Sequence, residues 1–381
     1  MPPEVEQEVV AWRRHIHAHP ELSFEEVETS RFVEETLRSV EGLELERPAP
    51  TAVVARLQGA RPGKVLALRA DMDALPIREE TGLEFASTRP GVMHACGHDA
   101  HTAMLLGAAK LLAGRRDDLA GEVRFVFQHA EEKPPGGARQ LVNAGVMEGV
   151  DLVVGAHVAS MKDVGKVGCR PGPIAAAADT FSAEIRGRGG HAAAPHKVVD
   201  PIVVAAQVVT NLQHLVSRTV DPLRSAVVSV TRFHSGTADN IIPEAVELGG
   251  TVRTFDPVVR GELEERMQRV FRGVTEAHGA TYTLDYAEGY AALINDEAAA
   301  GLVEAAARAE LGGDAIMEAE PIMGGEDFSA YLEKAPGAFF WVGAGHEDAM
   351  PHHHPRFTLD EAALRPGIAV FVRTALDFLA P

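Results

Sequence analysis

Apolar and polar positions follow two different patterns along the chain. In residues 1–178 and 289–381, short apolar runs such as KVLALRA, GEVRFVFQ and VDLVVGAHV are separated by helical stretches such as TAMLLGAAKLLAG. Strands that alternate with helices favour a mostly parallel sheet with helices on its faces. These two stretches therefore predict one discontinuous α/β domain.

The middle of the chain, residues 179–288, has a different order of elements. TFSAEIRGRG alternates as a strand does, and the segments after it have the patterns of a helix, two strands, a helix and a strand. The order βαββαβ is the split βαβ arrangement. We therefore predict a small inserted α+β domain of the ferredoxin-like type.

The N-terminal pattern predicts two helices. The first helix ends near His19, because Pro20 follows it. In SFEE, Ser23 precedes Glu26 by three residues, which is the spacing of a capping box. We therefore predict that this pair caps the second helix.

Size and charge narrow the possible functions. The 381 residues exceed the length of about 250–300 at which single cores stop growing, which agrees with two domains. A formal charge of -19 would repel nucleic acid and anionic membranes, and an anionic substrate would need a local arginine. Two cysteines, no apolar run of 18 residues and no leader pattern at the start predict a cytoplasmic protein.

Polar clusters lie at the ends of three of the predicted strands: RADMD follows one, HAEE follows the next, and GAHV ends the third. In open α/β sheets, ligand and catalytic groups gather beyond the carboxyl ends of the strands. A fourth cluster, HACGHDAH, holds Cys96 and His98 with one residue between them, and thiolate with imidazole suits zinc or a related metal. A buried cysteine beside a helix-start histidine is the alternative. A redox pair is disfavoured because there is no CxxC.

The other clusters add candidate ligands. Glu131 and Glu132 are adjacent after a strand, so one carboxylate can bind metal while its neighbour faces the attacking water. His157 ends an apolar run, where an imidazole is costly unless it is paired or ligated, and HHHP at 352–355 offers another. For each residue considered alone, the alternative to metal binding is a solvated surface glutamate or a histidine that is hydrogen-bonded within the core. Taken together, these residues indicate a metal site.

Specific motifs in one order extend along nearly the whole chain. They are RRHIHAHPELSFEE, ALRADMDALPI, MHACGHDAHTAML, QHAEEKPPGGARQLVNAGVMEGVD, GAHV, GRGGHAAAPH, NIIPEAVELGGTVRTF, GGEDFSAYL and HHHPRFTLDE. With these motifs the chain resembles the amidohydrolase branch of the M20 metallopeptidases, which includes hippurate hydrolases, auxin-conjugate hydrolases and N-acyl-amino-acid deacylases. The resemblance implies a zinc-peptidase-like catalytic domain at 1–178 and 289–381, with a lid and dimerisation domain at 179–288.

The resemblance also implies a centre of two divalent cations, Zn²⁺ or Mn²⁺, with Co²⁺ or Ni²⁺ as further options. Its ligands would be Cys96, His98, Glu132, His157 and His353. Glu131 would be the general base. The family commonly has LHNP at the terminal motif, which places the last ligand at His353 and leaves His352 and His354 as alternatives.

Two aspartates in RADMD are expected to orient the ligands. Asp71 stands where related M20 peptidases carry a metal-binding histidine, and Asp73 follows two residues later. Groups that hold a ligand in place are a regular part of metal sites. A cap at the end of the strand is the alternative for both.

The inserted domain would complete the site. By the resemblance, His191 would reach into a partner subunit's site and stabilise the developing oxyanion, so a homodimer is expected. Asn240 and Arg253 would hold the substrate carboxylate or amide. Gly324 and Gly325 in GGEDFS would line the pocket. A turn histidine and a solvated strand arginine are the alternatives for His191 and Arg253.

These features predict a metal-dependent amidohydrolase that cleaves the amide bond of N-acyl amino acids of the acetyl, benzoyl or indole-acyl type. A dipeptidase or carboxypeptidase of the same fold is the first alternative. A catalytically silent binding protein is the second, although the presence of both glutamates and of the whole ligand set argues against it.

Overall fold

The computed structural model describes residues 1–381 and divides into two compact units. The first unit comprises Met1–Ile174, Ile294–Glu320 and Asp327–Pro381. The second unit comprises Ala175–Leu293 and Pro321–Glu326. The predicted inserted domain at 179–288 thus lies within the second unit, which also takes a short segment from the GGEDFS region.

Nine α-helices and fifteen β-strands make up the two units. The helices are α1 (Pro3–Ala18), α2 (Val27–Arg38), α3 (His98–Ala113), α4 (Gly137–Asn143), α5 (Pro201–His214), α6 (Pro257–His278), α7 (Glu297–Leu311), α8 (Ser329–Leu332) and α9 (Leu364–Phe378). The strands are β1 (Leu43–Glu46), β2 (Val53–Gln58), β3 (Arg61–Asp71), β4 (Ala120–Gln128), β5 (Leu152–Asp163), β6 (Val167–Gly168), β7 (Gly172–Ala175), β8 (Ala177–Arg186), β9 (Gly190–His191), β10 (Ala226–His234), β11 (Ile241–Ile242), β12 (Ala245–Thr254), β13 (Thr281–Tyr290), β14 (Leu293–Asn295) and β15 (Gly337–Gly345). None of the helices combines the length and the apolar character that crossing a bilayer requires.

The first unit is built on a seven-stranded sheet in the order β1-β2-β4-β3-β5-β15-β6. Its four central strands, β4, β3, β5 and β15, pair in parallel, while β1, β2 and β6 are antiparallel to their neighbours. The central strands are buried on both faces, which explains why they are continuous apolar runs and not alternating ones. The mostly parallel α/β fold predicted from the sequence is confirmed.

Helix α3 begins at His98, four residues before the helix start expected from the sequence. Gly97 precedes it with φ = +90°, a left-handed conformation in which a side chain is strained. A Cβ at Gly97 would also lie 2.4 Å from Val158 Cγ2 on β5. The sharp turn that delivers Cys96 and His98 side by side therefore depends on glycine at this position.

We expect Gly97→Ala to destabilise the first unit by about 1–3 kcal/mol, because it combines a left-handed φ with a steric overlap. Urea unfolding followed by tryptophan fluorescence measures this, since both tryptophans, Trp12 and Trp341, belong to the first unit. Chelator in the buffer keeps metal loss from contributing. Gly114→Ala is the matched control, because Gly114 has helical φ and the nearest neighbour of a Cβ there would be the Leu111 carbonyl oxygen at 3.6 Å, an ordinary contact. Equal stability of the Gly97→Ala and wild-type proteins would show that the turn before α3 does not require glycine at position 97.

The second unit contains a four-stranded antiparallel sheet in the order β10-β12-β8-β13. Along β8, buried and more exposed residues alternate, as expected for a strand with one covered face. Helices α5 and α6 pack on the sheet through a core that includes Val208, Leu212, Leu263 and Phe271. The order of elements is the predicted βαββαβ, and the strand order is that of a ferredoxin-like sheet.

The predicted capping box at the second helix is wrong. Helix α2 begins at Val27 with Glu26 as its N-cap residue, but the Glu26 side chain makes no capping hydrogen bond. Glu21 Oε2 accepts from Thr29 N in the first turn at 2.8 Å. Ser23 Oγ instead donates to Asp73 Oδ2 at 2.6 Å, and Glu26 Oε1 accepts from the backbone nitrogens of Phe24 and Ala130. Both side chains are thus directed towards the loops that follow β3 and β4.

Candidate metal centre

The candidate ligands of the first unit gather near the carboxyl-terminal edge of the parallel sheet. Strand β3 ends at Asp71, β4 ends at Gln128, and His157 lies in β5 between them and β15. The five predicted ligands form two groups, in each of which the ligand atoms lie within 4.8 Å of one another. The groups are Cys96, His98 and His157, and Cys96, Glu132 and His353.

One ring nitrogen of His98 lies close to a carboxylate, and the other has no hydrogen-bond partner. Its Nδ1 lies 3.3 Å from Asp73 Oδ1, while its Nε2 is buried and has no hydrogen-bond partner. Asp71 Oδ2 and Glu132 Oε1 are 3.8 and 3.9 Å from Nε2, which is too far for a hydrogen bond. Because a buried polar atom without a partner is costly, this nitrogen fits a bound cation.

His157 is oriented in the same way. Its Nδ1 donates to the Val158 carbonyl at 2.7 Å, so its Nε2 carries the free lone pair and lies 3.4 Å from Cys96 Sγ. His101 supports this arrangement from α3, since its Nδ1 bonds to Asp71 Oδ1 at 2.6 Å and its Nε2 accepts from Val158 N at 2.9 Å. His101 thus connects β3 to β5 and does not itself offer a free nitrogen.

The three histidines of HHHP occupy different environments. His353 Nε2 lies 3.2 Å from Glu132 Oε1, and the residue has φ = +65°, an uncommon conformation for a residue with a side chain. His352 Nε2 accepts from Ser160 N, and His354 Nδ1 accepts from Arg356 N. Of the three, His353 is the one that the structure brings to Glu132.

Asp73 organises the turn that carries the two glutamates. Its Oδ1 accepts from Glu131 N and its Oδ2 from Glu132 N, both at 3.0 Å. Burial alone would raise the pKa of Asp73, but hydrogen bonds from His98 and Ser23 hold that pKa below its ordinary value. Asp73 thus contacts His98 and both glutamate backbones, and Asp71 contacts His101 and Arg69.

The electrostatics of the site favour a cation. Burial, together with the charges of Glu132 and Glu131, raises the pKa of the Cys96 thiol well above its usual value. Burial would lower the pKa of His98, but Asp71, Asp73 and Glu132 raise it to about 10. A thiolate and a neutral imidazole, which metal binding requires, become favourable here only when a positive charge offsets the carboxylates.

A buried ionic network under the site was missed in the sequence. Arg69 lies within the apolar run of β3, and its guanidinium donates to Asp71 Oδ2 at 2.6 Å, to Gln128 Oε1 at 2.8 Å and to Asp327 Oδ1 at 2.8 Å. Gln128 Nε2 also donates to Asp327. The only signal was an arginine within the apolar run VLALRA, whose residues are otherwise suited to burial on both faces.

The other predicted site residues belong to the second unit. His191 on β9 pairs with Ile241 on β11, and Ala192 N donates to the carbonyl of Asn240 at 3.1 Å, so His191 and Asn240 are neighbours. The imidazole of His191 accepts from Ala193 N at 3.0 Å through Nδ1. Arg253 is half-buried on β12, and burial lowers its pKa from the usual value.

Gly324 and Gly325 lie in the segment Pro321–Glu326 of the second unit. A Cβ at Gly325 would lie 2.8 Å from the Ala178 Cβ, so close packing against β8 requires glycine there. Their predicted contact with substrate stays a prediction.

Fold and site define a metal-dependent hydrolase of the α/β class, and comparison with known proteins gives the family. Residues 67–377 match the peptidase family M20/M25/M40, so the chain belongs to this family and the resemblance seen in its motifs is confirmed. It is 59% identical over 292 residues to an N-acyl-L-amino acid amidohydrolase of Geobacillus stearothermophilus, covering 77% of this chain and 79% of the relative. It is 42% identical to thermostable carboxypeptidase 1 of Saccharolobus solfataricus, covering 98% and 96%.

A solved structure agrees with the fold over the full length. A Bacillus subtilis protein, described as a dinuclear metal binding peptidase from the M20 family, superposes with a TM-score of 0.86 at 39% identity. The match covers 99% of each chain.

Proposed function

We propose that the protein hydrolyses the amide bond of N-acyl amino acids, giving a carboxylate and a free amino acid. The observation that carries this proposal is the cluster of five ligand-type residues at the sheet edge with a second glutamate beside it. The relative at 59% identity, an N-acyl-L-amino acid amidohydrolase, supports the same class of substrate. The ligand cluster and this relative together favour a metal-dependent amidohydrolase over a catalytically silent binding protein.

We assign Cys96, His98, Glu132, His157 and His353 as the residues that hold divalent cations. Two groups that share Cys96 match the donors of a two-cation centre, and the partnerless Nε2 of His98 fits that assignment. Divalent cations bound there would supply Lewis acidity, which makes water nucleophilic near neutral pH and polarises the amide carbonyl. Thiolate favours Zn²⁺, whereas carboxylate and imidazole donors also suit Mn²⁺, Co²⁺ or Ni²⁺.

Glu131 is the proposed general base. Its backbone is fixed by Asp73, and its side chain lies in a group with His98 and Glu132 whose ligand atoms are within 4.8 Å of one another. Glu131 would accept a proton from the water that adds to the amide carbon. When the C–N bond breaks, the same carboxyl returns the proton to the leaving nitrogen, so that a free amine departs.

The second unit supplies the proposed contacts to the substrate. Asn240 and Arg253 would hold the carboxylate or amide of the N-acyl amino acid, Arg253 as the local cation that a chain of charge -19 needs. Gly324 and Gly325 would line the pocket, and His191 would stabilise the oxyanion in a homodimer. We further propose that the protein works in the cytoplasm on small molecules, not on nucleic acid or membranes.

A substrate panel tests this function. Purified protein loaded with Zn²⁺, Mn²⁺, Co²⁺ or Ni²⁺ is assayed on N-acetyl, N-benzoyl and indole-acyl amino acids beside dipeptides. We expect turnover of at least one N-acyl amino acid class, its loss in chelator, and its return on metal addition, because the attacking water needs the cation.

The same panel evaluates the peptidase alternative, which the carboxypeptidase relative favours. Higher kcat/KM on dipeptides than on every N-acyl amino acid would replace the proposal with a peptidase. Full turnover in protein from which all divalent metal has been removed would contradict both.

A further inference from the structure

Three consecutive peptide N–H groups in the turn after β4 are bound by carboxylates. Ala130 N donates to Glu26 Oε1 at 2.7 Å, Glu131 N to Asp73 Oδ1 at 3.0 Å, and Glu132 N to Asp73 Oδ2 at 3.0 Å. We call residues 129–132 the glutamate turn. Its backbone is thus held from two sides, by Asp73 after β3 and by Glu26 before α2.

The glutamate turn contains an unusual backbone conformation. Ala130 has φ = +50°, in the left-handed region that residues with a Cβ rarely adopt. Such a conformation costs on the order of 1–3 kcal/mol and persists only where surrounding contacts determine it. The hydrogen bond to Glu26 is made by the amide of this residue, immediately before the proposed base.

The α1–α2 loop contacts the first two residues of the glutamate turn, His129 and Ala130. Glu26 Oε1 also accepts from Phe24 N at 3.0 Å, and the Phe24 ring packs edge-on against His129 with ring centroids 5.6 Å apart. Ser23 reaches the turn through its hydrogen bond to Asp73. A single carboxylate oxygen of Glu26 therefore connects the two backbones at the centre of this contact.

We propose that Glu26 is a positioning residue, which fixes the glutamate turn so that Glu131 and Glu132 hold the orientations needed for proton transfer and for cation binding. The part that concerns proton transfer by Glu131 rests on the proposed function. The part that concerns cation binding by Glu132 rests on the geometry of the ligand cluster. Glu26 acts through the peptide N–H of Ala130 and not by contact with substrate.

The burial of Glu26 agrees with this role. Its side chain is fully buried, and burial followed by the charge of Asp73 raises its pKa to about 7. A carboxyl group is costly in such a place. Its Oε1 accepts the Ala130 N–H whether or not the other oxygen carries a proton, so the positioning does not depend on the charge of the group.

The test compares Glu26→Met, which keeps the volume and loses the acceptor, with Glu26→Gln, which keeps the acceptor and loses the charge. Glu25→Met is the matched control, because Glu25 is adjacent and exposed. Co²⁺ is titrated into the metal-free full-length protein and followed by the thiolate-to-cobalt absorption of Cys96. In parallel, kcat and KM are measured on the best substrate of the panel, and folding is checked by circular dichroism.

We expect Glu26→Met to weaken Co²⁺ binding by about 10- to 100-fold and to lower kcat, with KM nearly unchanged. Glu26→Gln and Glu25→Met should behave as wild type. If Glu26→Met does not fold, Glu26→Asp replaces it, because the shorter chain withdraws the acceptor while keeping the charge. The same loss is then expected.

Three results would overturn the proposal. They are wild-type Co²⁺ affinity and kcat in folded Glu26→Met or Glu26→Asp, a loss in Glu26→Gln as large as in Glu26→Met, and a comparable loss in Glu25→Met. Because Co²⁺ titration uses no substrate, an error in the proposed function would show as a wild-type protein inactive on the panel, with the affinity differences among the variants still present.

Discussion

Replacing Glu131 with glutamine is expected to lower kcat by about 10²- to 10⁴-fold while the protein still binds its metal. Glutamine has nearly the size and shape of glutamate, but its neutral amide cannot accept the proton of the attacking water. The backbone bond from residue 131 to Asp73 is retained, so the glutamate turn should keep its place. Steady-state kinetics on the best N-acyl amino acid and metal analysis of the same sample measure both effects.

Glu132→Gln separates the roles of the two neighbouring glutamates. Glu132 shares a group with Cys96 and His353, so its replacement should weaken metal binding directly. Unchanged kcat in Glu131→Gln would show that Glu131 is not the general base. Loss of metal in Glu131→Gln, with metal retained in Glu132→Gln, would show that the two assignments are exchanged.

Replacing Arg69 with methionine is expected to lower the free energy of unfolding of the first unit by about 3–5 kcal/mol, since removal of one partner leaves buried charges unpaired. Arg69 and its partners Asp71 and Asp327 are each at most 2% exposed. In the variant, neither carboxylate retains a cation from this network. Urea unfolding followed by tryptophan fluorescence in the presence of chelator measures the change.

Arg373→Met provides the comparison for Arg69→Met. Arg373 pairs with Asp377 on the surface of α9, where both side chains are more than 30% exposed. Exposed ion pairs are screened by solvent and contribute little to stability, so this variant should have nearly the wild-type free energy of unfolding. A loss in Arg69→Met no larger than in Arg373→Met would show that the buried network does not stabilise the fold.

Much of the fold could be predicted because local periodicity carries it. The central strands are buried on both faces over most of their length and are therefore continuous in apolar residues, and strand β8 alternates because only one of its faces is covered. Cys96 and His98 could be predicted as partners because one residue separates them. The gathering of polar groups at one sheet edge followed from a general rule about the carboxyl ends of parallel strands, whereas the ligand set came from the family resemblance.

The contacts that hold the site were not predictable in the same way. Glu26 has the spacing of a capping box, and only the fold shows that its side chain turns away from α2 to the backbone of Ala130. Arg69 and Asp327 are 258 positions apart, so no local pattern joins them. Side-chain hydrogen bonds between distant segments depend on the tertiary structure, which the periodicity of each segment does not encode.

The two units also differ in when all of their segments become available during synthesis. The second unit is formed mainly by one continuous stretch, Ala175–Leu293. In the first unit, β15 pairs with β5 on one side and β6 on the other, and α9 belongs to the same core as α3. Domains generally fold as units while the ribosome extends the chain. The sheet that bears the metal ligands therefore keeps an open edge at β5 until the last segment emerges, whereas most of the inserted unit has been available to fold long before.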